Sequence, residues 1–327
     1  MTLLSGFRFL RPFAAATLVA LVLAVPPGRA QTLSRLVSVE WLTEHLKDPQ
    51  VLVLDVRSAI DGGGVAAYQK GHIPGAIHSD YDKAGWRVTR GGVPFMLPTL
   101  PELEKLIGEL GIDENTHVVV VPAGVSYTDF GSAARTYWTL KVAGLTQVSI
   151  LDGGYAAWVA AKNFVETGPS KPSPKIFTAV LDESLFVDAR EVDAILRGRP
   201  ATLVDARPAT FFAGKEKAPA AKAYGHIPGA VSLDSASFYD AKTNRLKPQA
   251  ELISIAFNAV PGGRVVTYCN TGHWAATDWF VLSELLGRRD VKLYYGSMVD
   301  WTSDPGRPLE SSRTKWDDLK KTLGFGW

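Results

Sequence analysis

Four short blocks occur twice, in the same order, along this 327-residue chain. The first copy reads Val51-Leu52-Val53-Leu54-Asp55-Val56-Arg57, then Gly71-His72-Ile73-Pro74-Gly75-Ala76, then the run 118–121, then Leu151-Asp152-Gly153-Gly154 and on to Trp158. The second reads Thr202-Leu203-Val204-Asp205-Ala206-Arg207, then Gly225-His226-Ile227-Pro228-Gly229-Ala230, then 265–268, then Tyr294-Tyr295-Gly296 and on to Trp301. A period this long means two globular domains rather than a solenoid. In each copy short β-branched runs alternate with helical stretches, such as 99–110 and 249–258, a pattern that predicts an α/β fold built on a mainly parallel central sheet flanked by helices. The expected layout is an N-terminal domain at 33–163, a linker rich in Pro, Ser and Lys at 164–184, a C-terminal domain at 185–312 and a tail at 313–327.

The copies differ most where chemistry can occur. The stretch 264–276 reads Arg-Val-Val-Thr-Tyr-Cys-Asn-Thr-Gly-His-Trp-Ala-Ala and holds Cys269, the one cysteine of the chain. Val265-Val266-Thr267 reads as a buried strand, Asn270-Thr271-Gly272 as a tight bend, and 275–286 as a helix stopped by Gly287. The cysteine therefore sits in a loop between a strand's C-terminal end and a helix N-terminus. Backbone N–H groups of residues 270–275 and the helix dipole there favour a thiolate, the nucleophilic form, over a thiol. The corresponding first-copy loop, Pro122-Ala123-Gly124-Val125-Ser126-Tyr127-Thr128-Asp129, is longer and has no cysteine.

Residues 1–30 carry Arg8 and Arg11, an apolar run of about 13 residues and a small-residue site ending at Ala30. This predicts a cleaved signal peptide, no stable membrane anchor and a periplasmic or secreted protein. A single thiol in an oxidising compartment cannot form an internal disulfide and is reactive or an intermolecular partner. The net charge of +2 supplies no basic field for nucleic acid. One Cys and six scattered His give no ligand cluster for a metal, and no cofactor is implied. A monomer is expected.

The paired Asp-x-Arg blocks, the paired Gly-His-Ile-Pro-Gly-Ala blocks, the Cys269 loop and the closing Gly-x-x-x-x-Trp blocks resemble the rhodanese superfamily of sulfurtransferases in its tandem form, over roughly residues 35–310. The resemblance implies two rhodanese-like domains, the first non-catalytic and the second catalytic. It also implies ping-pong transfer of sulfur through a persulfide on Cys269, with Asn270, Thr271, Gly272, His273, Trp274 and Ala275 forming the active-site loop. The partners implied are a small-molecule sulfur donor and a thiol or cyanide acceptor. Superfamily phosphatases carry Arg six residues past the cysteine; here that position is Ala275.

Thiosulfate enzymes of this superfamily typically place a basic residue two past the cysteine, and mercaptopyruvate enzymes a serine. Thr271 matches the second pattern. The resemblance then offers His72 and Asp61, eleven residues before it, as a candidate proton relay with that hydroxyl. Against mercaptopyruvate, Phe211 stands where that group carries an arginine for the substrate carboxylate. Lys215, Lys217 and Lys222 are candidate anion contacts, and His273 can bind an anion when protonated. The compartment favours thiosulfate as donor, with 3-mercaptopyruvate or a dedicated persulfide carrier as alternatives. Structural readings compete throughout. His72 belongs to a turn motif repeated at His226, Asp61 lies beside three glycines, the lysines sit in an insertion, and both Asp-x-Arg pairs read as ion pairs at strand ends.

Overall fold

The computed structural model describes Thr2 and residues 34–313; the leader expected at 1–30 and the tail beyond 313 lie outside the described residues. The first half contains β1 (Leu36–Val37), β2 (Val51–Asp55), β3 (Ile77–His78), a hairpin of β4 (Val88–Arg90) and β5 (Val93–Met96), then β6 (His117–Val121) and β7 (Val148–Leu151). The second half repeats this set as β8 (Phe186–Val187), β9 (Thr202–Asp205), β10 (Val231–Ser232), a hairpin of β11 (Tyr239–Asp240) and β12 (Arg245–Leu246), then β13 (Val265–Tyr268) and β14 (Val291–Tyr294). Each half forms a parallel five-stranded sheet. The first has the order β1-β7-β6-β2-β3, and the second has the order β8-β14-β13-β9-β10, position for position the same. The central strands β6 and β13 are buried along their whole length. Helices cover both faces of a parallel sheet, which is why these strands read as unbroken β-branched runs rather than as an alternation.

The helices begin where the sequence offers caps. Thr99 and Glu102 form a reciprocal capping box ahead of the helix Leu100–Glu109, and Ser126 accepts from the Asp129 N–H at 3.2 Å to start the helix Tyr127–Val142. Residues 164–182 carry no long element but are strapped to the first half. Lys175 donates to Gly108 O at 2.9 Å and Val180 to Ala143 O at 3.0 Å. Gly108 permits this approach, because a Cβ there would lie 2.6 Å from Lys175 O. Among the described residues no helix is long and apolar enough to cross a membrane.

The largest apolar core does not respect the duplication. It joins Leu54, Val120, Phe130 and Tyr137 of the first half to Val204, Cys269, Trp279 and Phe280 of the second, while two smaller cores lie each within one half. The shared core is centred on the helix Tyr127–Val142, which is buried on nearly every side. It packs on the helix Trp274–Trp279, which continues as a π-helical segment, Phe280–Leu285, up to Gly287 at φ +64°. Tyr137 meets Phe280 edge-on at 5.0 Å and donates its hydroxyl to Glu284 at 2.5 Å.

Both Asp-x-Arg blocks are buried ion pairs. Arg57 Nη2 lies 2.7 Å from Asp55 Oδ2 and donates to Gly71 O at 2.8 Å; Arg207 Nη2 lies 2.6 Å from Asp205 Oδ2 and donates to Gly225 O at 2.8 Å. Each ties the end of a strand to the turn of its Gly-His-Ile-Pro-Gly-Ala block. Because removing one partner leaves a buried charge uncompensated, Asp55→Ala and Asp205→Ala should each lower unfolding free energy by about 3–5 kcal/mol. Urea denaturation followed by far-UV circular dichroism checks this; a change under about 1 kcal/mol in both, the usual range of an exposed pair, would contradict a structural role.

Candidate active site

Cys269 follows the last residue of β13 and is 1% exposed. Its backbone is clamped on both sides. The Cys269 N–H donates to Ser297 Oγ at 3.0 Å, and the carbonyls of Cys269 and Asn270 accept from Met298 and Val299 at 3.1 and 3.0 Å. Ser297 itself is held at φ +51°, an uncommon conformation for a residue with a side chain, while its hydroxyl donates to Tyr294 O at 2.8 Å. Gly272 turns the loop into the following helix at φ +74°; a Cβ there would lie 2.8 Å from Tyr295 O and collide with the Arg135 guanidinium. With the carbonyls of the loop engaged, the N–H groups of residues 270–273 have no protein acceptor among the described residues, and none of them reaches Sγ by a hydrogen bond. They remain available to an anion.

The other half of the molecule supplies the charge. Arg135, in the middle of the helix Tyr127–Val142, is wholly buried and donates from Nη1 to Thr271 O at 3.1 Å. Its Nε and Nη2 find no acceptor, and no carboxylate pairs with it among the described residues. Burial pulls it down to about 10, so it stays cationic at neutral pH, and its charge and that of an ionised Cys269 favour each other. A buried cation without a counter-ion is costly unless an anion comes to it. His273 is fixed by the same helix. Its Nε2 donates to Thr128 O at 2.8 Å, and Tyr81 donates to Nδ1 at 2.8 Å. Gly131 leaves room for the ring, since a Cβ there would lie 2.8 Å from Nε2. Burial pushes His273 down to about 3. It is therefore a neutral imidazole with both nitrogens occupied, and does not offer the protonated anion contact expected from the sequence.

A cleft of about 320 Å³ opens at Cys269. Cys269, Asn270, Thr271, His273, Trp274 and residues 218–220 line it from the second half; Ile60, Arg87, Phe95 and Thr128 line it from the first. Arg87 is the one charged side chain among these. It already pairs with Asp82 at 2.8 Å and lies over the rings of Tyr81 and Phe95 at 4.1 and 5.0 Å. Trp274 is packed by Tyr127 and Phe211 at 6.2 and 6.1 Å. Phe211, at the position expected to hold a carboxylate-binding arginine, thus serves as packing behind a wall of the cleft.

The loop residues expected from sequence come together around Cys269, with Gly272 and Ala275 as backbone and packing positions. Two other groups do not join them. Asp61 accepts from Ser58 N and Gly63 N at 3.0 and 2.9 Å and so caps its own turn. His72 contacts Tyr68 O at 3.0 Å, Ser170 Oγ at 3.3 Å and Glu166 at 3.8 Å, and does not line the cleft. Its counterpart His226 bonds Phe212 O and Glu310 in the same bridge-forming way. The relay through Thr271, His72 and Asp61 is therefore not assembled, because the imidazole is consumed in holding the turn. Nor do Lys215, Lys217 and Lys222 line the cleft. Lys217 Nζ donates to Ala221 O at 2.7 Å, bracing the insertion so that residues 218–220 face the cleft instead. Tyr81, Arg87, Phe95 and Arg135 had no signal in the sequence, since they fall outside the repeated blocks; Thr128 lies in the first-copy loop that corresponds to the Cys269 loop. No group of three His, Cys, Asp or Glu among the described residues is placed to hold a metal.

The rhodanese-like domain family matches this chain twice, at residues 38–161 and 188–304. A 3-mercaptopyruvate sulfurtransferase of Escherichia coli K12 is 31% identical over 287 residues, covering 84% of this chain and 97% of that protein. A thiosulfate sulfurtransferase of Rattus norvegicus is 31% identical over 277 residues, covering 81% and 91%. Among solved structures, the 3-mercaptopyruvate sulfotransferase SseA of Escherichia coli aligns with a TM-score of 0.70 at 29% identity, covering 81% of this chain and 98% of that one.

The neutral state of His273 has a measurable consequence. Its folded value, about 3, lies below the ordinary 6.5, so the unfolded chain binds the proton more readily. The stability this group contributes is complete above pH 6.5 and is lost as pH falls toward 3, by at most about 1.4 kcal/mol per pH unit. His117, held down to about 4 by burial, acts in the same direction. Urea midpoints measured from pH 7.5 to 4 should fall for the natural protein and fall less for His273→Gln. Equal slopes would mean that His273 takes up its proton as readily in the folded chain as in the unfolded one.

Proposed function

This chain belongs to the rhodanese-like family, and from that premise we propose that it is a sulfurtransferase that carries sulfur as a persulfide on Cys269. The observation that carries the reading is the pairing of one buried cysteine with a buried cation that has no carboxylate, Arg135, on the loop that holds the cysteine. The Cys269 thiolate attacks the outer sulfur of the donor. The bond between that sulfur and the rest of the donor breaks, its electron pair leaves with the donor remnant, and Cys269 becomes a persulfide. An acceptor nucleophile then attacks the outer sulfur, and Cys269 departs as thiolate. Negative charge stays at this loop in every state, so a fixed positive charge and unpaired N–H groups stabilise thiolate, persulfide and the intervening transition states without reorganising.

For the donor we favour thiosulfate. Arg87 is the lining cation that a sulfonate end would meet, and Phe211 leaves a carboxylate donor without a cation from its segment. The leader at 1–30 supports an exported protein, where thiosulfate is accessible. A second reading, 3-mercaptopyruvate as donor, is favoured by the Thr271 hydroxyl on the cleft and by the Escherichia coli relative of that name.

Steady-state turnover with each donor, cyanide as acceptor, separates these readings. Thiosulfate should give the higher kcat/KM; the reverse order would install mercaptopyruvate. Cys269→Ser should lower turnover by roughly a thousandfold or more, and substantial residual activity would sink the mechanism. Arg135→Met should slow alkylation of Cys269 by iodoacetamide at pH 7 about tenfold, with Arg135→Lys partly restoring it. An unchanged alkylation rate in Arg135→Met would show that the cation does not act on the sulfur.

A further inference from the structure

We infer that the cleft above Cys269 selects an acceptor thiol with an apolar body, alkyl or aromatic, over small hydrated acceptors; this rests on the sulfur-transfer reading above. The cleft is larger than cyanide or thiosulfate fills, and so leaves room for the body of an acceptor. Its volume of about 320 Å³ reaches the range of pockets that enclose organic ligands, whereas these two ions have two and five heavy atoms. Half of its lining is apolar: Ile60, Phe95, Ala218, Pro219, Ala220 and Trp274.

Two of those residues are held in place at some expense. Phe95 sits at the β4–β5 hairpin with φ +67°, a conformation that a bulky side chain rarely adopts, and is still 36% exposed. A large aromatic ring kept both strained and partly exposed over a cleft lacks a purpose in packing alone, and the Arg87 guanidinium lies 5.0 Å over its ring. Trp274 faces the same cleft with its rotation fixed by Tyr127 and Phe211 and by a hydrogen bond from Nε1 to Thr128 Oγ1 at 3.4 Å. Phe95 comes from the first half and Trp274 from the second, so only the docked pair of domains creates the apolar space.

The polar side of the ledger is thin. Arg87 is matched by Asp82, His273 is neutral, and Arg135 lies behind the loop rather than in the cleft. Cyanide entering this space gives up its hydration without covering the apolar lining. A thiol with an apolar body removes its own surface and that of Phe95, Pro219 and Trp274 from water. Its thiolate attacks the outer sulfur of the Cys269 persulfide. The new bond joins the acceptor sulfur to the outer sulfur, the persulfide S–S bond breaks with its electron pair going to Cys269, and Cys269 leaves as thiolate, so the product is the acceptor's persulfide and no redox partner is needed.

Discharge of the Cys269 persulfide by ethanethiol, butanethiol and hexanethiol tests this, because the three share one thiol acidity and differ in apolar length. Persulfide formation on the protein is read first, by intact mass after incubation with thiosulfate or 3-mercaptopyruvate. The second-order discharge rate should then rise up to about fourfold per methylene until the cleft is filled. Phe95→Ala should flatten that dependence, and Phe95→Leu should keep most of it. A persulfide that forms and is discharged at one rate by all three thiols overturns the inference while leaving sulfur transfer standing. The same slope in Phe95→Ala as in the natural protein overturns the assignment of Phe95 to the acceptor site. Failure to form any persulfide on Cys269 overturns the sulfur-transfer reading and this inference together.

Discussion

The packing of the helix Tyr127–Val142 against Trp274–Leu285 is the constraint on which the rest of this structure depends. It fuses two copies of one sheet into a single core, and it does so through the helices that follow the cysteine loop and its cysteine-free counterpart. The contact is apolar at its centre, where Phe130 and Tyr137 meet Phe280, and polar at its edge, where Tyr137 and Arg35 both reach Glu284. Burying this much aromatic surface fixes the helix axes closely enough for a guanidinium from one half to hydrogen-bond a loop carbonyl of the other.

That placement accounts for a first half with no cysteine of its own. Its helix carries Arg135, its Thr128 carbonyl and Tyr81 hold His273, and its hairpin carries Arg87 and Phe95. Burying a cation costs several kcal/mol, and the loop offsets part of this with one carbonyl and the field of an ionised sulfur. The same arrangement leaves the site electrically lopsided. The Arg135 cation holds a carbonyl of the loop, and apolar side chains make up half of the lining of the cleft that opens at Cys269.

Much of the fold was legible in the residues. The matched blocks implied two α/β units, and the strand orders agree position for position. Asp55-Val56-Arg57 and Asp205-Ala206-Arg207 were readable as ion pairs because both copies keep them. The loop Cys269–Trp274 was readable because a lone cysteine, a glycine and a helix start fall within a few residues. The proton relay through His72 was not readable correctly. Its motif fixes a turn in both halves, and a sequence does not reveal that both ring nitrogens are already taken.

By itself the sequence determined what depends on near neighbours along the chain: strand against turn, cap against helix, cysteine against glycine. Only the tertiary structure decided which residues meet at the site, because they come from distant segments: Tyr81 and His273, hydrogen-bonded there, are 192 residues apart. No periodicity or motif marks Arg135, Arg87 or Phe95, since their roles arise from the docking of two domains and not from any local pattern. The electrostatic state of the site follows from the same cause. His273 is neutral and Arg135 unpaired because the interface removes them from water, and burial is a property of the assembled fold.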